Sequence, residues 1–436
     1  MKKTFFIATL FAALMLCGCN DNNDPKEEIL VRPGGIIDRI FTRPNPNPLH
    51  LTPSKDQLAY AQMGADFAQS LFNRLCAEAK PGENVCISPL SFEIALGMLA
   101  NGVESEACTE MLDIIAGKGV TPDSLNAWYY KLRSALEATN CVRLANAMWA
   151  QTGYSINPDF ITVNQTYYDA EVGNLDFAKT QEAADSIGQW AYDHTYGNIR
   201  DLDLPIDAST LFVLANATWF GANWAEPFST LLTKKITFNR SDGTKQTVDM
   251  MTKGGNYLYE ERPNYQIVDL PFGVFEEAKY SHGQYKCIDT PYSMVIALPK
   301  EGRTVNDILA DIDWDIKRHE DGMVHLPKFN FKTSNSLIRP LMELGIQKLF
   351  QEGALDGIHA GLAISLIKQD VSVKIDEEGA EMAAVTIVTL YGSDIGDGNE
   401  PTPFDFNANR PFVFAVRDNV SHNLLFIGKV ESIENN

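Results

Sequence analysis

The side chains that most often carry out catalysis are present in this chain, but their spacing matches no common enzyme motif. The sequence lacks the nucleophilic-serine, zinc-protease, phosphate-loop and dinucleotide-binding motifs. His319 and His325 are too far apart to share one face of a helix as metal ligands. Asp311, Asp313 and Asp315 lack the glycine and distal glutamate of a calcium-binding loop, which favours a solvated acidic face. We therefore predict no enzyme, no metal and no cofactor.

The overall charge excludes two classes of partner. The 436 residues include 57 acidic and 36 basic side chains, which gives a net charge of -21. Binding to a nucleic-acid backbone needs clustered Lys and Arg. Docking on an anionic bilayer needs the same positive charge. We expect neither nucleic acid nor direct electrostatic membrane binding.

The N-terminus has the composition of an export signal. Lys2 and Lys3 precede an apolar run over residues 4–16 that is too short to span a bilayer. The following Leu16-Cys17-Gly18-Cys19 resembles the bacterial lipobox, in which the last cysteine becomes the lipidated first residue. We predict a lipoprotein signal peptide over residues 1–18 and lipidation of Cys19. The alternative is an ordinary signal peptide with incidental cysteines.

A polar, proline-rich stretch separates this signal from the rest of the chain. Its repeated Asn-Pro steps favour an extended, non-helical chain, so we predict a flexible tether over residues 19–55. No comparable break follows until near the C-terminus, which predicts one domain over residues 56–434. We expect this domain to be exported and anchored at the bacterial outer membrane, on the periplasmic or cell-surface side. The remaining cysteines are expected to be buried small hydrophobes: Cys76, Cys86, Cys108, Cys141 and Cys287.

Apolar periodicity predicts helices early in the domain and strands late in it, an α+β fold. A helix over Asp56–Ala79 with Asp56 as its cap is the first predicted element. Leu211–Phe220 has the composition of a strand buried on both faces, whereas Ser365–Ile375 alternates like a half-buried strand. Further predicted elements are a helix over Phe92–Ala100, a strand over Ser293–Leu298 and a hairpin of Phe412–Arg417 with Leu424–Val430.

A segment near the C-terminus has an unusual distribution of charge. Between Glu381 and Ser393 it carries neither charge nor proline and is rich in strand-forming Val, Thr and Ile. Beyond Ser393 the chain becomes acidic and glycine-rich. One interpretation is an edge strand followed by a long hairpin loop. The other is a spare strand that is held out of a sheet as bait for a protease.

At this point the chain resembles the serpin family, protease inhibitors that act by strand insertion. The resemblance extends from about Asp56 to Val430. The residues that match family patterns, in order, are Asn84 with Ser88–Ser91, Leu144–Trp149, Thr195 with Gly197–Ile199, Leu214–Phe228, Leu326–Phe329, Leu344–Ile346, Asn409–Phe412 and Phe426–Val430.

The resemblance implies a specific fold and set of site residues. The fold would have three β-sheets, about eight or nine helices and an exposed reactive-centre loop at about residues 377–408. The sheet-opening region would include Asn216, Trp224 and Gln369. Gln369 departs from the family, which often has His there, so a pH-sensitive contact at that position is not expected. The implied loop hinge comprises Glu377, Gly379, Ala380, Glu381, Met382, Ala383 and Ala384.

The resemblance also implies a suicide-substrate cycle. A serine protease, or by extension a cysteine protease, would acylate at the loop, and the cleaved loop would insert into the central sheet with the protease attached. An inserted strand alternates faces, so Ala380, Met382 and Ala384 would point inward and Glu381 outward. Met382 is larger than the family's usual Ala or Ser, so a non-inhibitory serpin-fold protein that is merely cleaved is the alternative. We also expect a monomer that forms loop-sheet polymers on heating.

The scissile bond is predicted by the family's spacing from the hinge. Counting fourteen residues beyond Gly379 gives Ser393-Asp394, with Leu390 or Tyr391 as alternatives. These residues suit elastase-, subtilisin- or chymotrypsin-like proteases. No Arg or Lys lies between Met382 and Ala408, which argues against trypsin-like targets.

Overall fold

A computed structural model describes residues 51–199, 204, 206–277, 285–364, 367–380 and 403–433. Seven α-helices lie within these residues: α1 (Lys55–Glu78), α2 (Pro89–Ala100), α3 (Ser105–Ile115), α4 (Pro122–Glu137), α5 (Pro158–Tyr168), α6 (Thr180–His194) and α7 (Ile338–Glu343). Short 3-10 helices cover Thr230–Leu232, Val305–Asp307 and Lys348–Phe350.

Sixteen strands lie in the same part of the chain. The first eight are β1 (Val85–Ile87), β2 (Val142–Gln151), β3 (Glu171–Leu175), β4 (Phe212–Phe220), β5 (Ala222–Trp224), β6 (Lys234–Asn239), β7 (Lys245–Glu261) and β8 (Tyr265–Glu277). The others are β9 (Tyr285–Pro299), β10 (His319–Pro327), β11 (Phe329–Ser336), β12 (Lys368–Ile375), β13 (Gly379–Ala380), β14 (Phe404–Asn407), β15 (Phe412–Asp418) and β16 (Leu424–Val430).

The strands form one large network and one small sheet, so the α+β class holds while the predicted counts do not. Thirteen strands are linked, with the main path β1-β16-β15-β9-β8-β5-β13-β12-β11, and β3-β2-β4 form a separate sheet. Three separate sheets were predicted. The long strand β7 joins two layers, because its start pairs with β6 and β10 and its end pairs with β8. The described residues hold seven α-helices against the eight or nine predicted.

The first helix begins at a different cap from the predicted one. The Ser54 hydroxyl accepts from the Gln57 backbone N–H at 3.2 Å, and the Gln57 side chain accepts from the Ser54 N–H at 3.0 Å. This reciprocal capping box satisfies two backbone donors at the helix start. The predicted cap Asp56 is wrong because it lies inside α1, in the first turn.

The core explains which predicted strands are fully buried. The hairpin of β15 and β16 is confirmed, and every residue in both strands is buried. β4 is buried only toward its C-terminal end, because most of its residues from Phe212 to Thr218 are half-buried. The prediction of a strand buried on both faces is therefore only partly correct for β4. Cys76, Cys86 and Cys108 are buried, whereas Cys141 and Cys287 are half-buried.

The residues first considered for metal chemistry lie on surfaces with other contacts. Asp313 and Asp315 are exposed and form ion pairs with Arg262 and Arg417, at 3.5 and 3.3 Å. The described residues contain no cluster of three or more His, Cys, Asp or Glu side chains that could hold a metal ion. Within the same residues, no helix is both long enough and apolar enough to cross a membrane.

Candidate strand-insertion site

A cavity of about 310 Å³ separates β4 from β12. β4 pairs with β2 on one edge, and β12 pairs with β11 on one edge. Their other edges face the cavity, and within the described residues no strand joins them below β13. The two walls include Leu214, Asn216, Thr218 and Phe220 of β4 and Gln369, Val371, Val373 and Ile375 of β12. The space lies where a further strand would complete one continuous sheet.

The top of the cavity is closed by the short strand β13. Ala380 pairs with Ala222 of β5 and with Ile375 of β12, in both cases antiparallel. Ala380 is buried, and its neighbour Gly379 has φ +156°. A Cβ on Gly379 would collide with the backbone carbonyl of Ala222. A glycine is therefore required at the point where the chain turns in between β5 and β12.

An ion pair between buried Glu377 and partly exposed Lys328 holds the chain just before β13. The Glu377 carboxylate lies 2.7 Å from Lys328 Nζ and accepts from the Thr233 hydroxyl at 2.8 Å. Burial raises the pKa of Glu377, but these two hydrogen bonds outweigh it and lower the pKa overall. The Trp224 indole N–H donates to the Asp376 carbonyl at 3.0 Å. Backbone and side-chain contacts thus fix the root of the predicted hinge.

Amide and hydroxyl side chains line the lower part of the cavity. On the β4 wall, Asn216 accepts from the Ser91 hydroxyl of α2 and donates from Nδ2 to Asn146 Oδ1 at 2.5 Å. On the β12 wall, the Gln369 amide accepts from the Ser88 N–H at 2.8 Å and donates to the Ser88 carbonyl at 2.9 Å. Ser88 and Ser91 both lie at the start of α2. One helix end therefore contacts both walls.

The structure brings together some of the predicted site residues, while others lie outside the described residues. Asn216 and Gln369 lie on opposite walls of the cavity, and Trp224 lies beside the chain that leads into it, bonded to Asp376 and Glu378. Of the predicted hinge, Glu377, Gly379 and Ala380 are described. The predicted site residues that lie outside the described ranges are Cys19, Glu381, Met382, Ala383, Ala384, Leu390, Tyr391, Ser393 and Asp394.

The sequence alone indicated no role for three residues that contact the site. Lys328 and Ser88 lie in segments that matched family patterns, but the match did not indicate what either residue contacts. Thr233 lies in no such segment. Its contact with Glu377 joins residues 144 positions apart, which local patterns do not predict.

Comparison with known proteins identifies the family. The model of the serpin (serine protease inhibitor) family matches residues 62–433. A leukocyte elastase inhibitor of Sus scrofa is 31% identical over 84% of this chain and 97% of its own length. An uncharacterized serpin-like protein of Methanosarcina mazei is 28% identical over 84% of this chain and 85% of its own. The chain therefore belongs to the serpin family, whose members are generally protease inhibitors.

Solved structures share the architecture. The native state of tengpin, a thermophilic serpin, is 26% identical and superposes with a TM-score of 0.73, over 88% of this chain and 96% of tengpin. Native protease nexin-1 with heparin is also 26% identical, with a TM-score of 0.71, over 86% of this chain and 99% of its own. The α+β architecture described above is thus the serpin fold.

Proposed function

We propose that this protein is a suicide-substrate inhibitor of serine endopeptidases, with cysteine endopeptidases as a second class. The observation that carries the proposal is the cavity between β4 and β12, which Ala380 enters from above. Both facing edges carry backbone donors and acceptors that an inserted strand would pair. Loop insertion in serpins is a strand addition of this kind, and it releases strain that the uncleaved protein stores.

The register at the top of the cavity supports insertion of the following residues. Ala380 pairs with both β5 and β12, and both pairings are antiparallel. For every two residues further along the loop, the opposing residue in each wall would therefore be two positions earlier in the chain. Counting in this way, Thr386 would lie between Asn216 and Gln369. Both of these side chains are polar and bonded to the start of α2. The one inward-facing polar residue among residues 380–390 would thus meet the polar part of the cavity.

The proposed chemistry is that of an interrupted hydrolysis. The protease serine hydroxyl would attack the carbonyl of Ser393, and the amine of Asp394 would leave with a proton. The remaining ester would join the protease to Ser393, and water would normally cleave it. Insertion would move the ester and the attached protease along the sheet before water attacks, which would distort the protease active site.

We propose elastase-, subtilisin- or chymotrypsin-like proteases as the targets. Small Ser393 suits the first two, and the alternatives Leu390 and Tyr391 suit elastase- or chymotrypsin-like pockets. The absence of Arg and Lys from Met382 to Ala408 argues against trypsin-like targets. Relatives about 30% identical that are named leukocyte elastase inhibitors support the first of these classes.

We also propose that the inhibitor is an exported bacterial lipoprotein. Residues 1–18 would be the signal peptide, Cys19 the lipidated residue, residues 19–55 the tether and residues 56–434 the inhibitory domain. Leu51 packs against the core and Lys131 bonds the Thr52 carbonyl, so the domain would contact the last part of the tether. The anchor would lie in the outer membrane, on the periplasmic or cell-surface side.

The proposed function is tested by mixing the protein with elastase and with subtilisin and separating the products on a denaturing gel. We expect a covalent complex that survives denaturant. Protease whose serine has been blocked chemically is the control and should give no complex. Clean loop cleavage without a complex would contradict the proposal and favour the non-inhibitory alternative.

A thermal melt of the nicked protein supplies an independent test of insertion. Cleavage at the loop frees residues 381–393 to enter the cavity, so the melting temperature should rise sharply. An unchanged melting temperature would show that the cavity takes up no strand. Heating the intact protein should produce loop-sheet polymers, because a strand of one molecule would enter the cavity of another. Size-exclusion chromatography after mild heating would detect them.

A further inference from the structure

Helix α6 covers the face of the sheet in which the cavity opens. Its residues Trp190 and Ala191 pack against Ala147 of β2 and Ala217 of β4. The same two residues and Ile187 also line the cavity. A strand that entered between β4 and β12 would therefore pass beneath α6, and its outward side chains would press against the helix.

A histidine at the C-terminal end of α6 contacts the edge strand β3. His194 Nε2 lies 3.0 Å from the Glu171 carboxylate, and His194 Nδ1 lies 2.8 Å from the Trp190 carbonyl oxygen. Both partners are acceptors only, so each ring nitrogen must carry a hydrogen to bond there. Neutral imidazole has one N–H. Both contacts can be hydrogen bonds at the same time only when the imidazole carries a hydrogen on each nitrogen.

His194 and Trp190, one turn apart on α6, both contact the same carboxylate. His194 lies in the last turn of the helix. The Trp190 ring lies 4.8 Å from the imidazole, and its indole N–H donates to the same Glu171 carboxylate at 3.2 Å. Two donors from α6 therefore meet on one carboxylate of β3.

Other charged groups near this end of α6 have partners of their own. On α6, Asp193 accepts from the Gln189 amide at 2.8 Å. On β2, the Arg143 guanidinium lies 4.6 Å from the centre of the Tyr196 ring, just beyond the helix. Trp219 of β4 packs against the other side of this region, 4.7 Å from Tyr196. Glu171 is thus the carboxylate that the geometry pairs with the imidazole.

We propose that His194 and Glu171 form a pH-dependent clamp that holds α6 on the sheet and slows entry of a strand into the cavity. A neutral imidazole has one N–H for these two acceptors, so one of its two bonds is lost on deprotonation. α6 is then held less firmly, and the strand passes beneath it faster. The inference rests on the proposed function, because loop insertion is the step that the clamp regulates.

Two substitutions remove the clamp by different routes, and a third serves as a control. His194→Gln keeps an amide donor that does not titrate, and Glu171→Gln keeps an acceptor without charge. Glu182→Gln is the matched control, because Glu182 pairs with Lys179 at 3.1 Å at the other end of α6. Hydrogen exchange of the α6 amides, corrected for intrinsic rates, should show greater protection in the wild type than in either clamp variant in acid. The control should behave as the wild type.

The functional readout is the time that nicked protein takes to become heat-resistant, at about pH 5.5 and about pH 8, on either side of imidazole titration. Insertion in the wild type should be roughly two- to five-fold slower at the lower pH, the size expected from one partly exposed ion pair. His194→Gln should lose this pH dependence. An equal pH dependence in His194→Gln overturns the clamp.

If the nicked protein never gains heat resistance, the proposed function fails instead. The exchange data then decide the clamp alone, and equal α6 protection in wild type and variants overturns it.

Discussion

The upper and lower parts of the cavity between β4 and β12 are held by different interactions. At the top, β13 pairs by backbone with both neighbouring strands, and the ion pair of buried Glu377 with partly exposed Lys328 fixes the chain that leads into it. Lower down, side chains alone contact the two walls, through Asn216 and Gln369 bonded to the start of α2. Among the described residues, the upper part is closed as a sheet and no strand fills the lower part.

This difference separates two tasks of an insertion site. A backbone ladder at the top sets the register in which any further residues must enter, because pairing is periodic. The unpaired strand edges below supply the free energy of insertion, because their backbone groups gain hydrogen-bond partners when a strand enters. The side-chain bonds to α2 keep the walls in place until then. Substitutions at the top should therefore alter whether insertion starts, whereas those below should leave the start of insertion unchanged.

The largest effect is expected from Ala380→Arg. Ala380 is buried between β5 and β12, so a guanidinium there would be desolvated without a partner and would push β13 out of the sheet. The covalent complex with protease should disappear and be replaced by cleaved protein on the denaturing gel. Ala383→Arg is the control, because side chains alternate along a strand and residue 383 would lie on the outward face, opposite to Ala380. Loss of the complex in both variants would refute the assignment of faces.

The second effect concerns Glu93, which is buried on α2, the helix whose start contacts both walls of the lower cavity. Burial raises its pKa to about 8, and the hydrogen bond from the Tyr129 hydroxyl at 3.4 Å offsets this only in part. Between about pH 4.5 and pH 8, the folded protein keeps a proton on Glu93 that the unfolded chain releases. The free energy of unfolding is therefore highest below about pH 4.5 and falls as the pH rises to about 8. The wild type should lose up to about 1.4 kcal/mol per pH unit in this range.

Glu93→Gln should remove this slope without changing stability near pH 4.5, because the amide has no proton to lose. Urea unfolding at a series of pH values measures it. Glu104→Gln, at the exposed start of α3, is the control and should leave the slope as it is. A wild-type slope equal to that of Glu93→Gln would mean that Glu93 is ionised in the folded state.

The third effect concerns the ion pair at the top. Glu377→Gln removes the charge that Lys328 and Thr233 contact and should cost about 2 kcal/mol, within the range for hydrogen bonds to a charged group, because Lys328 is 40% exposed and stays solvated. Because the pKa of Glu377 is lowered, its contribution is present above about pH 4.5 and is lost as the pH falls further. Denaturant unfolding at neutral and acidic pH should show the difference from wild type shrinking in acid. A constant difference would point to packing as its cause.

The smallest effect is expected on the wall of the lower cavity. Gln369→Ala removes two hydrogen bonds to the Ser88 backbone and should lower stability by about 1 to 2 kcal/mol. Thermal or urea unfolding measures it. Because the top is unchanged, protease trapping should persist. Asn335→Ala, which removes one bond from β11 to the Cys86 carbonyl, is the comparison within the same layer. Loss of trapping in Gln369→Ala would show that the lower wall also controls the start of insertion.

Parts of this site were predictable because their signals are local. The glycine and alanine of the hinge stand in a recognisable pattern, and the confirmed hairpin of β15 and β16 follows from two apolar runs and a polar turn. The number of sheets was not predictable, because the sharing of β7 between two layers depends on strand pairing far along the chain. The cap of α1 was missed because Ser54 lies beyond the predicted start of the helix.

The sequence by itself determined the α+β class, the serpin resemblance and the uncharged, strand-prone segment between Glu381 and Ser393, since each depends on residue type and short spacing. Only the tertiary structure decided which residues hold the cavity. The cavity is held by contacts from distant parts of the chain: Lys328, Thr233 and the start of α2. The contact of His194 with Glu171 likewise joins two separate elements, α6 and β3. The physical reason is that hydrogen bonds and ion pairs depend on distances of about 3 Å, which the packing of the whole chain sets.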